Sequence, residues 1–328
     1  MSITNIIKRE IPKLKSRIYF AIPFRNYIIN AMRHGQLNGI YIPRVIYIET
    51  TNRCNAKCYM CPHEKMGRGL GNMPWHIFEK IVNECSKFEG HGLDFILHKD
   101  GEPLLDPALF QRIEYIKRVM KKSRVYFNTN AMLLNEDKIM KILNSPLDAI
   151  TFSVDGASKE TYEKIRIGLQ YDTVIRNVDN FLKRKTELNK NIHVTMQMVV
   201  NRSNIHEVEE YKRLWRDKAD RIFCKEMHNF LVQATSIYGN HISDKQMRRC
   251  LMPFSAMLFY WNGDVGLCCW DYDNIARLGN IEKEPLLKIY NNQKFIEVRK
   301  AMIKKACKGI KPCNICSQIY GQDGPPWQ

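Results

Sequence analysis

No run of eighteen or more apolar residues occurs in this 328-residue chain, so no membrane-spanning helix is expected. The opening Met1-Ser2-Ile3-Thr4-Asn5 lacks the charged, apolar and small-residue order of a secretory signal, and a cytoplasmic protein is expected. Neither disorder nor a fibrous repeat is indicated, and with 45% apolar residues the chain can bury one large core, alone or with an appendage. Acidic residues are few beside basic ones, 34 against 51, for a formal charge of +17. That excess is spread through segments such as Lys117-Arg118, Lys183-Arg184-Lys185 and Lys304-Lys305, and no RNA-recognition, helix-turn-helix or zinc-finger pattern accompanies it. Nucleic acid is therefore not the expected partner. Cysteine, by contrast, is plentiful. Eleven cysteines without an export signal point to metal or redox sites, because the cytosol keeps thiols reduced and disfavours a disulfide framework.

Along the chain, residues 1–43 form a basic amphipathic segment broken by Pro12 and Pro23. Such a segment can lie on a membrane or dock a partner, but packing on its own domain is the preferred expectation. Then apolar runs alternate with helical patterns. Strands are predicted at Val45 to Glu49, Leu93 to His98, Val125 to Asn128, Ala149 to Val154, His193 to Val200 and Arg221 to Lys225. Helices are predicted at Pro74 to Ser86, Pro107 to Met120, Glu136 to Leu143, Tyr171 to Arg184 and Ile205 to Asp217. Repeated βα units imply parallel strands with right-handed crossovers, in an open sheet or a barrel. From Met247 the pattern changes to short strands punctuated by Trp261, Gly263, Gly266 and Gly279, then a helix from Pro285 to Lys305, and this part holds six of the eleven cysteines.

Directly after the first strand comes Cys54-x3-Cys58-x2-Cys61. Three thiolates can hold three irons of a [4Fe-4S] cube and leave the fourth open to a small molecule. Three packed core cysteines, or a zinc site short of a ligand, are the plainer alternatives. The spacing resembles the signature of the radical S-adenosylmethionine (radical SAM) superfamily. The resemblance implies that SAM chelates the open iron and that the fold is α/β, a partial (β/α)6 TIM-like barrel at residues 44–235 with functional groups at the C-terminal strand ends. It also gives roles to other residues. Lys99-Asp100-Gly101-Glu102-Pro103 resembles the glycine-glutamate motif that accepts a hydrogen bond from the SAM amino group. The strand ends Asn128-Thr129-Asn130 and Ser153-Val154-Asp155 resemble those near the ribose and carboxylate, and Gln197 to Asn201 would flank the adenine. Arg166 resembles the arginine that pairs with the SAM carboxylate, a role that suits a planar guanidinium. Taken alone, Arg166 is a solvated helix arginine and the others are ordinary turn or strand-end residues.

Cys250-x12-Gly263-x4-Cys268, followed at a distance by Cys313-x2-Cys316, resembles the auxiliary-cluster domain known in its short form as twitch and in its long form as SPASM, here a small α+β iron-sulfur domain at residues 236–328. Those four cysteines suffice for one fully ligated [4Fe-4S] cube. Zinc is the competing ligand, and Cys269 or Cys307 could replace an assigned residue. Cys85 reads as core. Cys224, near the end of the sixth strand, reads either as a buried strand residue or as a thiol in the barrel mouth that returns a hydrogen atom to a substrate radical. His98, Lys99, Lys225, Glu226 and His228 could face a polar substrate.

The expected activity is that of a radical SAM enzyme which removes a hydrogen atom from a polar small molecule, supplied with electrons by a donor such as flavodoxin or ferredoxin. The layout is similar to that of aminoglycoside-pathway dehydrogenases such as 2-deoxy-scyllo-inosamine dehydrogenase, which favours oxidation of a sugar or aminocyclitol carbon. Radical epimerisation of a sugar or peptide, peptide maturation and a zinc-containing nucleic-acid-binding protein are the alternatives.

Overall fold

The computed structural model describes residues 41–87, 92–227, 250–316 and 319. The expected N-terminal segment, apart from residues 41–43, lies outside the described residues, as do the boundary placed between residues 235 and 236 and His228.

Six apolar runs form strands β1 (Val45–Ile48), β2 (Asp94–Ile96), β3 (Arg124–Thr129), β4 (Ala149–Ser153), β5 (His193–Val200) and β6 (Arg221–Glu226). They lie side by side in chain order, each parallel to the next. Parallel neighbours need a long crossover, since a tight turn cannot return the chain to the same end of the sheet. Helices α1 (Trp75–Ser86), α2 (Leu109–Val119), α3 (Glu136–Asn144), α4 (Lys159–Ile165), α5 (Tyr171–Glu187) and α6 (Val208–Trp215) occupy those crossovers. Asn135 caps α3 by accepting from Lys138 N at 3.0 Å, and Ser158 caps α4 by accepting from Thr161 N at 3.3 Å. The result is the partial (β/α)6 barrel that the alternation implied.

Side-chain alternation along each strand separates packing from chemistry. On β4, Ile150 and Phe152 are fully buried, and Phe152 meets Phe181 of α5 edge-on with centroids 5.2 Å apart. Ser153, of opposite parity, lines the interior cavity. On β5, Val194, Met196, Met198 and Val200 are buried with the helices, whereas Gln197 and Val199 line the cavity.

The C-terminal part is an extension of this sheet. Strand β7 (Ala256–Phe259) pairs in parallel with β1, and β8 (Asp264–Gly266) and β9 (Gly279–Asn280) follow antiparallel, giving a nine-stranded mixed sheet. Helices α7 (Met252–Ser255), α8 (Leu286–Tyr290) and α9 (Gln293–Lys304) complete an α+β unit. The single helix expected from Pro285 to Lys305 is two helices. Asn291 closes the first, and the side chain of Asn292 accepts from Phe295 N at 3.0 Å, which starts the second. Among the described residues, no helix is long and apolar enough to cross a membrane.

Phe152→Ala removes a fully buried ring from the β4–α5 contact and should cost about 3–5 kcal/mol of stability. The shift of the urea midpoint, at unchanged slope, measures it.

Candidate functional site

Cys54, Cys58 and Cys61 line one wall of a cavity of about 310 Å³ at the C-terminal ends of the strands. Gly101, Glu102, Asn128, Asn130, Ser153 and Arg166 line the same cavity, so the structure brings together all six residues expected at the cofactor. Of the run expected beside the adenine, Gln197 and Val199 line it. Asn201 is fully buried, and its carboxamide closes a local turn by accepting from Ser203 N at 2.9 Å.

The cysteine loop is fixed from several sides. Glu102 N donates to Arg53 O at 2.8 Å, and Lys57 N and Tyr59 N donate to Ile167 O and Ile165 O at 2.8 and 3.1 Å. Asn55, between the first two cysteines, accepts at 2.9 Å from the side chain of Asn130. Asn52 reaches the far limb of the loop, donating to Gly69 O at 2.9 Å and accepting from Gly71 N at 2.7 Å. Gly101 permits the closest approach. A Cβ there would stand 2.5 Å from Thr51 O and 2.7 Å from Arg53 O, so only a residue without a side chain lets the two segments meet.

The polar residues of the wall are partly committed to the protein. Glu102 is buried, and its carboxylate accepts from Thr129 Oγ1 at 2.7 Å, Asn130 N at 2.8 Å and Leu104 N at 3.1 Å. Burial pushes its pKa up while those donors oppose the rise, and one acceptor position of four remains for an added amino group. Arg166 donates from Nε to Asp155 Oδ2 at 2.7 Å, and its Nη1 lies 3.7 Å from Cys58 Sγ. Its remaining N–H groups are available to an added carboxylate. His98 also lines the cavity. Burial, helped by Lys225, Lys99 and Arg166 and opposed by Asp100, pushes its pKa down to about 4, so it is neutral at pH 7.

Cys224 is not in the barrel mouth. It is buried, pairs in register with Met198 on the helix-facing side of the sheet, and lies near Lys212 and Glu209 of α6. Lys225, of opposite parity, lines the cavity in its place. Glu226 shares the parity of Cys224 and does not line the cavity. The cavity thiol outside the Cys54 loop is Cys269.

Cys250, Cys268, Cys313 and Cys316 line a second, smaller cavity with Met252, Leu267, Met302 and Ile319. Burial raises the pKa of Cys250, Cys268 and Cys313, and neighbouring thiols raise each further. Such a group becomes thiolate only when a polycationic centre offsets the charge. Cys307 lines neither cavity and donates to Met302 Sδ at 3.4 Å. Trp270 lines both cavities and is a wall between them. Among the described residues, no three His, Cys, Asp or Glu side chains converge on a point where a single metal ion would sit. A cube does not require that convergence, because its ligands are spread over separate irons.

Sequence reasoning missed a buried charge network behind the loop. Arg68 grips Glu49 with both terminal nitrogens at 2.8 Å, reaches Asp100 Oδ2 at 2.9 Å and Tyr272 O at 2.6 Å, and lies 4.3 Å from the centroid of the Tyr260 ring. Lys99 pairs with Asp100, and the Tyr260 hydroxyl donates to Asp271 O. No local pattern marks Arg68, whose partners are distant in sequence.

The thiol-lined cavity at the strand ends and the second thiol group beside it suit an iron-sulfur protein. The chain belongs to the radical SAM superfamily, whose model matches residues 48–214, and residues 250–317 match the iron-sulfur cluster-binding domain SPASM. Membership implies the use of iron-sulfur clusters and SAM. A probable GTP 3′,8-cyclase of Methanococcus maripaludis is 30% identical over 141 residues, covering 43% of this chain and 46% of the cyclase. This chain spans less than half the length of the first curated relatives it matches. The crystal structure of BtrN in complex with AdoMet and 2-DOIA superposes with a TM-score of 0.60 at 16% identity, covering 85% of this chain and 94% of that one. Streptococcus suis SuiB bound to precursor peptide SuiA gives 0.62 at 16%, covering 97% and 83%.

Gly101→Ala should push the cysteine loop off its seat. Iron per chain after anaerobic reconstitution should fall by about half, because the second group of cysteines still loads. Loss of SAM binding with retention of the remaining cluster's absorbance checks the assignment.

Proposed function

We propose that this chain oxidises a hydroxyl-bearing carbon of a polar metabolite, a sugar or aminocyclitol, to a ketone. The carrying observation is the pair of cavities, the larger with the three thiols of the Cys54 loop and Cys269, the smaller with four, that share Trp270 as a wall. Cys54, Cys58 and Cys61 would hold one [4Fe-4S] cube, with Glu102, Asn128, Asn130, Ser153 and Arg166 around SAM. Cys250, Cys268, Cys313 and Cys316 would hold a second. When bound, the first cube and SAM supply the 5′-deoxyadenosyl radical that takes the hydrogen atom, and the second supplies a one-electron acceptor.

The chain's own residues bind and orient the substrate. Removal of the carbon-bound hydrogen atom, one electron and the hydroxyl proton, the last released to water, converts H–C–O–H to C=O. Neutral His98 accepts the hydroxyl's hydrogen bond and orients that group. An external one-electron donor of the flavodoxin or ferredoxin kind starts each turnover. The likeness to BtrN, solved with AdoMet and 2-DOIA, supports a reading in which SAM is bound beside a second ligand. The complex of SuiB with precursor peptide SuiA and the likeness to a GTP cyclase support other substrate classes, which the product assay separates.

One observation favours a second reading. Cys269 lines the cavity and is placed to return a hydrogen atom, which would make the reaction an epimerisation. In deuterated water an epimerase places deuterium on the product carbon and loses product with Cys269→Ala. A dehydrogenase forms a ketone without solvent deuterium. Cys313→Ala should leave 5′-deoxyadenosine formation within about threefold of the parent while ketone formation stops. Chromatography of both products tests this, and ketone at the parental rate from Cys313→Ala would sink the oxidation reading.

A further inference from the structure

The larger cavity holds one cationic side chain without an oxygen partner among the described residues. Its two acids are both engaged, Glu102 by Thr129, Asn130 and Leu104, and Asp100 by Lys99 and Arg68. Arg166 is held by Asp155, a residue behind the wall. Lys225 is different. It enters the cavity from the end of β6, and among the described residues no carboxylate, hydroxyl or carbonyl oxygen meets its ammonium. The centroid of the Trp270 ring lies 5.9 Å from Nζ, and Cys269 and, farther off, Asp155 also act on its charge.

An ammonium taken out of water without a hydrogen-bonded partner is costly, and burial accordingly lowers the pKa of Lys225. SAM brings one carboxylate, and Arg166, beside Cys58, is the guanidinium placed for it. Lys225 faces Trp270 and Cys269 across the cavity mouth, beside the space left for a substrate. We propose that Lys225 binds an oxyanion of the substrate, so that the metabolite carries a phosphate or carboxylate as well as its hydroxyl-bearing carbon. This inference rests on the reading of the cavity as the place where a polar metabolite is oxidised, and it narrows the choice within that reading. A cationic aminocyclitol would set a second ammonium against Lys225, whereas an anionic sugar neutralises it.

Reconstituted protein saturated with SAM is titrated by calorimetry with glucose 6-phosphate, glucuronate, glucose and 2-deoxystreptamine. At least one anionic sugar should bind about tenfold or more tightly than glucose, the increment of a charge-assisted hydrogen bond. A gain confined to glucose 6-phosphate assigns phosphate, and one confined to glucuronate assigns carboxylate. Lys225→Gln should abolish the preference while leaving SAM affinity unchanged, and Lys225→Arg should keep most of it. Equal affinity for all four probes, tightest binding of 2-deoxystreptamine, or a Lys225→Gln variant that weakens SAM and spares the anion overturns the proposal. Binding is read without turnover. A failed ketone assay beside a Lys225-dependent anion preference therefore counts against the oxidation, not against this subsite.

Discussion

The contact on which the site depends is the bare backbone of Gly101 against the carbonyls of Thr51 and Arg53. It seats the cysteine loop at a sheet end where strand geometry is already set by parallel pairing. Placement of Cys54, Cys58 and Cys61 is thereby a property of the barrel and not of a free loop. The neighbouring Glu102 turns the same contact into a branch point, since its carboxylate ties β3 through Thr129 and Asn130 while its amide holds Arg53. Positions on rigid elements are defined more narrowly than positions on loops, and a reactive radical needs that definition.

Behind the loop, Arg68 does for the C-terminal unit what Gly101 does for the barrel. Its fork on Glu49, its bond to Asp100 and its contact with Tyr272 O and the Tyr260 ring join residues from three distant stretches of chain. Buried ion pairs contribute little net stability, because desolvation offsets the attraction, but removing one partner costs about 3–5 kcal/mol. Their effect is positional. With β7 paired to β1, the network makes the auxiliary unit a continuation of the barrel instead of a tethered appendage.

Much of this was legible in the chain. Strand β5 has the bounds that its apolar run implied, and the others differ by a residue or two at their ends. The expected cofactor residues gather in one cavity and the four assigned cysteines in another. What failed has physical causes. Cys224 was weighed by its nearness to a strand end, whereas parity decides the face, and Ile222, Cys224 and Glu226 share the face away from the cavity. The helical segment expected from Pro285 to Lys305 breaks at Asn291-Asn292, where the Asn292 side chain competes for backbone N–H and starts a new helix. Arg68 was illegible because its partners Glu49 and Asp100 stand 19 and 32 residues away, beyond any local pattern.

Cys268 and Cys269 are adjacent in sequence yet face different chambers, one into the four-thiol pocket and one into the substrate cavity. One planar peptide therefore separates a sulfur that the second cube would use from one that meets the substrate, and the two chambers share backbone as well as the Trp270 ring.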